Sequence, residues 1–220
     1  MNAPEIAHAP RISALPRHPL ALPSLLLCGA AVLGFFIPYY ALWPRSGAAL
    51  LALLTLALLH RPASRAGLTR SWRISLAGFA LLTAAPLLAL AVTGWLEEAW
   101  AVSVPLAVVL ILLYLAGLWG LGTFCGLMAG LCRAEELPKS AKLWTAARRA
   151  VLFFLLPGVA IADAAPLVGV KTGIAWLLGP WGSFLWFILI YTGLHLLVAS
   201  VLTRVEAQGA QDSGSYLESA

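Results

Sequence analysis

The chain has 220 residues, 61% of them hydrophobic and 10% charged, with a formal net charge of +5. A soluble domain carries about 25% charged residues, and a chain of this length has too little interior to hide such an apolar surplus, so lipid must solvate much of its surface. The basic residues flank the apolar runs as the positive-inside rule requires, which removes the reason to expect a nucleic-acid partner.

Residues 1–22, MNAPEIAHAPRISALPRHPLAL, are rich in proline and alanine and carry Arg11 and Arg17, the composition of a flexible tail. The run from Ser24 to Leu42 exceeds the roughly 7–15 residues of a signal-peptide core and ends in PYYALWPR rather than in small cleavage-site residues. It is expected to stay as an anchor.

Hydropathy then marks six spans in an all-α membrane domain over 23–204, at about 24–42, 46–60, 74–96, 103–132, 150–169 and 174–203, before a flexible tail at 205–220. A crossing needs roughly 20 helical residues. The second run, SGAALLALLTLALLH, is short and has to recruit Trp43 and Pro44, thin the bilayer or lean on neighbours. The fifth carries Pro157-Gly158 and Pro166 and is expected to kink, which places it and the sixth toward the packed side of the bundle. In the sixth, Gly179-Pro180 separates a surface or re-entrant piece at Ile174–Leu178 from a crossing between about Trp181 and Thr203.

With a cytoplasmic N-terminus, Arg11, Arg17, Arg61, Arg65, Arg70, Arg73, Arg133, Lys139, Lys142, Arg148, Arg149 and Arg204 fall on that side. Only Arg45 and Lys171 fall opposite. Six crossings with both termini cytoplasmic, in a bacterial inner membrane, satisfy the rule. Tryptophans prefer the headgroup boundary. Trp43, Trp95, Trp100, Trp176 and Trp181 are expected near the outer one, Trp72 and Trp144 near the inner. The outer connections are short, and the one substantial inner loop is RAEELPKSAKLWTAARR at 133–149. Leu143, Trp144, Ala146 and Ala147 are expected on its apolar side, with Lys142, Arg148 and Arg149 reaching toward anionic headgroups.

Within LGTFCGLMAGLCR, Gly122, Gly126 and Gly130 repeat at four-residue spacing and predict a helix-packing seam, since glycine lets a second backbone approach closely. Whether that second helix is in the same chain or in another copy stays open. Cys125 and Cys132 share a face with no His, Asp or Glu beside them, so they read as small buried thiols. With Cys28 they make an odd set without a CxxC pair, and no metal or cofactor is expected.

Asp163 inside the fifth span and His195 in the sixth, with Tyr191 one turn earlier, are the candidates for an ion, proton or ligand site. A bis-histidine haem would need His60 to face His195. A hydrogen-bonded histidine in a helix contact is the simpler role. Nucleophile elbows, zinc-protease motifs and phosphate loops are absent, Glu97 and Glu98 are adjacent and point apart on a helix, and no catalytic residue is named. The expectation is a non-enzymatic scaffold, assembly or accessory subunit that contacts another membrane protein or itself. The alternative is a small-solute or ion carrier using Asp163 and His195.

Overall fold

The computed structural model describes residues 18–36, 42–95, 104–164 and 180–218, and every element among them is helical. Helix α1, Ala21–Ala31, is prolonged by a π-helical turn at Val32–Phe36. Helices α2 (Leu42–Arg65), α3 (Thr69–Trp95) and α4 (Val104–Ala134) follow. Helix α5, Pro138–Ala150, runs through a second π turn, Val151–Leu155, into α6, Leu156–Ala164. Helix α7 spans Pro180–Glu218. Three stretches among the described residues, Ile111–Ala134, Pro138–Ile161 and Phe184–Ala210, are long and apolar enough to cross a bilayer, which marks a membrane protein.

Chain neighbours pack side by side, and α7 closes the arrangement by packing on both α5 and α1. One core runs from Leu56 and Leu59 through Phe124, Met128 and Leu131 to Trp144, Val151 and Leu155. Both π turns pack against α7. They fall in similar strings, VLGFFIP at 32–38 and VLFFLLP at 151–157, each ending two residues before a proline. At the second, the N–H of Leu156 reaches back five residues to the Val151 carbonyl. This widened turn fits the helix to Pro157, whose ring crowds the carbonyl four residues earlier and which lacks an N–H. The expected kink is therefore a bulge within a continuing helix.

Two turns at one end of the bundle share a design. After α2, the N–H groups of Gly67 and Leu68 bond the carbonyls of Ser64 and Ala63 at 3.2 and 2.8 Å. After α4, those of Glu136 and Leu137 bond Arg133 and Cys132 at 3.3 and 2.7 Å. Each satisfies the last carbonyls of its helix and needs a left-handed residue, supplied by Gly67 at φ 70° and by Glu136 at φ 57°. Glycine adopts that region freely, whereas Glu136 pays a steric cost offset by burial of the following Leu137.

The inner loop expected at 133–149 is mostly helix. Residues 135–137 alone connect α4 to α5, and the fifth apolar helix begins at Pro138 rather than at 150. The buried face of α5 is Ser140, Ala141, Trp144, Ala147 and Ala150, a register rotated from the expected one and leaving Leu143 and Ala146 only half-buried. Residues 205–218, expected as a tail, continue α7. The stretch at Ile174–Leu178 lies outside the described residues.

Among the described glycines, the tightest approach to another backbone lies away from the expected seam. A methyl group built on Gly78 of α3 or Gly120 of α4 would overlap the other's Cα, and one on Gly117 would lie 2.7 Å from Leu82. Of the expected seam, Gly122 receives Leu152 and Gly130 receives Leu68, at 2.6 and 2.8 Å from a built Cβ, while Gly126 lies against Arg148 at 3.4 Å. The seam is filled within the chain, by side chains. Gly78→Ala forces two backbones apart and is expected to cost on the order of 1–3 kcal/mol; Gly126→Ala meets only a flexible side chain and is expected to change stability by less than about 0.5 kcal/mol. Thermal unfolding in detergent measures both, and equal melting temperatures would refute the assignment.

Candidate functional site

Tyr191 and His195 lie one turn apart on α7, their rings 4.3 Å apart between centroids. His195 Nδ1 is 2.9 Å from the Tyr191 carbonyl oxygen. A carbonyl only accepts, so Nδ1 carries the proton and donates it, and Nε2 has no partner among the described residues. The Tyr191 ring stacks on Phe187 at 6.0 Å and meets Phe154 edge-on at 5.8 Å. Phe187 is 64% and Tyr191 37% exposed, so this aromatic row faces outward from the bundle.

Asp163 belongs to α6, but its side chain is outside the described residues, as are Glu97, Glu98 and Lys171. His60 rests edge-on against Trp72 at 4.7 Å, and α1 packs between α2 and α7. No contact joins the two imidazoles. Among the described residues, no three His, Cys, Asp or Glu side chains converge where they could hold a metal ion. Thr192, between Tyr191 and Gly193, was not singled out by the sequence reading. Its hydroxyl is fully buried and has no partner among the described residues. Thr55, Ser75, Thr83, Ser200 and Thr203 instead return their hydroxyls to the carbonyl four residues earlier. A lone threonine in an apolar run is the only sequence signal it offers.

A polar clamp joins α4, α5 and α7 at the end that carries the two left-handed turns. Trp144, expected at a wet interface, is 1% exposed, and its indole N–H donates to Thr203 Oγ1 at 2.9 Å. Thr203 in turn donates to the Ala199 carbonyl at 2.7 Å, and Cys132 Sγ lies 3.9 Å from the same hydroxyl. Edge-to-face rings continue inward from Trp144 to Phe124 at 6.0 Å and from Phe124 to Phe79 at 5.4 Å. One turn further along α7, Glu206 accepts the backbone N–H groups of Ser140 and Lys139 at 2.8 and 3.3 Å, and also the Ser140 hydroxyl. No side chain of the preceding turn caps α5, so the carboxylate from α7 satisfies its orphan donors and complements the positive end of its dipole.

Cys125 and Cys132 are both buried and free, as small apolar residues are. Trp72 also turns its N–H inward, to the Leu56 carbonyl at 2.7 Å. The tryptophans expected at the outer boundary lie outside the described side chains.

His18 stands at the entry to α1. Its Nδ1 accepts the Leu20 N–H at 3.3 Å, and its Nε2 is 3.8 Å from a Glu135 carboxylate oxygen. Burial pushes the imidazole pKa below its ordinary value, with the Glu135 charge opposing that shift in part. Nδ1 can accept the Leu20 N–H only while it carries no proton, the state that burial favours.

No protein-family model, curated protein or solved structure matches the chain. The clamp has the pattern of a structural lock: each polar group is paired, and the hydroxyl and thiol groups are turned inward. Thr203→Val leaves the Trp144 N–H buried without an acceptor and is expected to destabilise by about 1–3 kcal/mol. Removing the N–H as well, in Trp144→Phe with Thr203→Val, is expected to cost less than the sum of the two single changes, measured by a double-mutant cycle on thermal or denaturant unfolding.

Proposed function

We propose that this chain is a non-enzymatic, multi-pass protein of the cell inner membrane that acts as a small scaffold, assembly or accessory subunit of a membrane complex. Six helices cross, α5 and α6 acting as one, and both termini are cytoplasmic. Several contacts support this threading. His18 at the start of α1 meets Glu135 after α4, Leu68 before α3 meets Gly130 near the end of α4, and Trp144 of α5 meets Thr203 late in α7. These contacts gather Arg65, Arg70, Arg133, Lys139, Lys142 and Arg204 at one end, where the positive-inside rule assigns the cytoplasm.

The accessory role rests on the outward face of α7. The Tyr191 hydroxyl and His195 Nε2 have no partner among the described residues, on a surface otherwise made of Phe154, Phe187, Leu194 and Val198. Polar tips on an apolar helix are costly toward lipid. They are satisfied when a second helix supplies the complementary groups. The contact face moves accordingly from the glycine stripe of α4, which the chain fills itself, to α7.

The second reading is a small-solute or ion carrier that uses Asp163 and His195. The buried, unpartnered Thr192 hydroxyl favours it. The outward direction of Tyr191 and His195 weighs against it.

Purified in mild detergent, the parent is expected to run as a complex heavier than the 23.3 kDa chain plus its detergent, and Tyr191→Phe with His195→Leu is expected to release the lone chain at unchanged melting temperature. A parent already alone would count against the accessory role. Independently, reporters fused to the two ends are expected to be accessible from the same compartment; opposite accessibility would remove the even number of crossings.

A further inference from the structure

The exposed side of α5 forms one wall of a cavity of about 470 Å³ in which Arg133, at the end of α4, converges with Lys142 and Arg149. Thr145 lies between them, and Ala141 and Ala146 contribute apolar floor. The α5 residues at 142, 145, 146 and 149 fall at helical spacings of three and four, opposite the face that buries Trp144 and Ala147. Arg133 is steadied by its Nη2 donating to Thr145 Oγ1 at 3.4 Å. The three cationic side chains are exposed, and none has an ion pair among the described residues. No carboxylate lines the cavity.

Three like charges around one concavity repel one another unless an anion enters it, and an arginine fork offers paired N–H donors that match the oxygens of a phosphate. One turn beyond Arg149 on the same face, Phe153 is 72% exposed. The cationic cavity is therefore followed, along the same side of the helix, by a large exposed apolar side chain, and a cationic site beside an apolar surface matches a phospholipid rather than a free anion. We propose that this groove binds the phosphodiester headgroup of an anionic phospholipid of the cytoplasmic leaflet, with Arg133, Lys142 and Arg149 holding the phosphate and an acyl chain lying along Phe153. The inference rests on the membrane reading above, but not on the accessory role or on the face of α7.

Native mass spectrometry of the detergent-solubilised chain, titrated with dioleoyl phosphatidylglycerol or with phosphatidylcholine of the same chains, tests it. One phosphatidylglycerol is expected to be retained per chain in preference to phosphatidylcholine. Arg133→Gln with Lys142→Gln and Arg149→Gln is expected to weaken retention on the order of a hundredfold, about fivefold for each cation. Arg61→Gln with Arg65→Gln and Arg70→Gln, an equal loss of charge elsewhere at the same end, is expected to leave it unchanged. Arg133→Lys with Arg149→Lys is expected to keep most of it, and melting curves recorded on every variant separate lost binding from lost folding.

Equal weakening in both glutamine triples would overturn the site in favour of diffuse charge. So would equal retention of the two lipids, displacement by millimolar inorganic phosphate, or an acidic protein in place of the lipid. Release of the parent from membranes by alkaline carbonate without detergent would instead defeat the membrane reading itself.

Discussion

Where lipid surrounds a bundle, burial of apolar surface no longer selects which helices pair, because lipid tails solvate leucine as well as another leucine does. Close approach and hydrogen bonding decide instead. In this chain the backbone contact of Gly78 with Gly120 sets the register of α3 on α4. That register brings Leu68 to Gly130, so the turn before α3 closes over the end of α4. Antiparallel packing then sets Gly122 against Leu152 and Gly126 against Arg148, which fixes the depth at which α5 enters the bundle.

The end that gathers the cationic residues is held differently from the apolar middle. There the contacts are directional: an indole on a hydroxyl, a carboxylate on the open start of a helix, and two left-handed turns that use up the terminal carbonyls. In this clamp Trp144, Thr203 and Ser140 each find a partner, which avoids the cost of burying a polar group alone. These bonds specify geometry that leucine packing leaves loose, and they set the cationic side of α5 outward by committing its other side to Trp144 and Ala147.

Much of this was legible in the chain. Long apolar runs with basic flanks located the helices, because hydropathy over about 20 residues is a strong signal. The start of α5 escaped it. PKSAKLWTAARR is too polar for a span, and it is helical because its alanines, Trp144 and Ser140 meet α4 and α7, contacts that no local pattern encodes. The glycine stripe of α4 was visible by spacing, but spacing does not say which glycine meets backbone and which meets a side chain. Gly78 has no glycine three or four residues away in α3 and forms no motif. Trp144 was assigned to the boundary from its place in the sequence, whereas the acceptor that draws it inward lies 59 residues away on Thr203. His195 and Tyr191 were found by residue type, and their outward direction follows from the rotation of α7, which packing against α1 and α5 sets.

The contribution of α7 has a bearing on biogenesis. Thr203 and Glu206 belong to a helix that leaves the ribosome well after α5, yet they supply the acceptors for an indole and a helix start made about sixty residues earlier. Until α7 emerges, α5 has an open, positively polarised start and a tryptophan with an unanswered N–H, so this end of the bundle completes only after translation of α7. A prematurely terminated polypeptide would retain most of its hydrophobic segments and lack the latch that joins them, a form that membrane quality-control proteases are suited to remove.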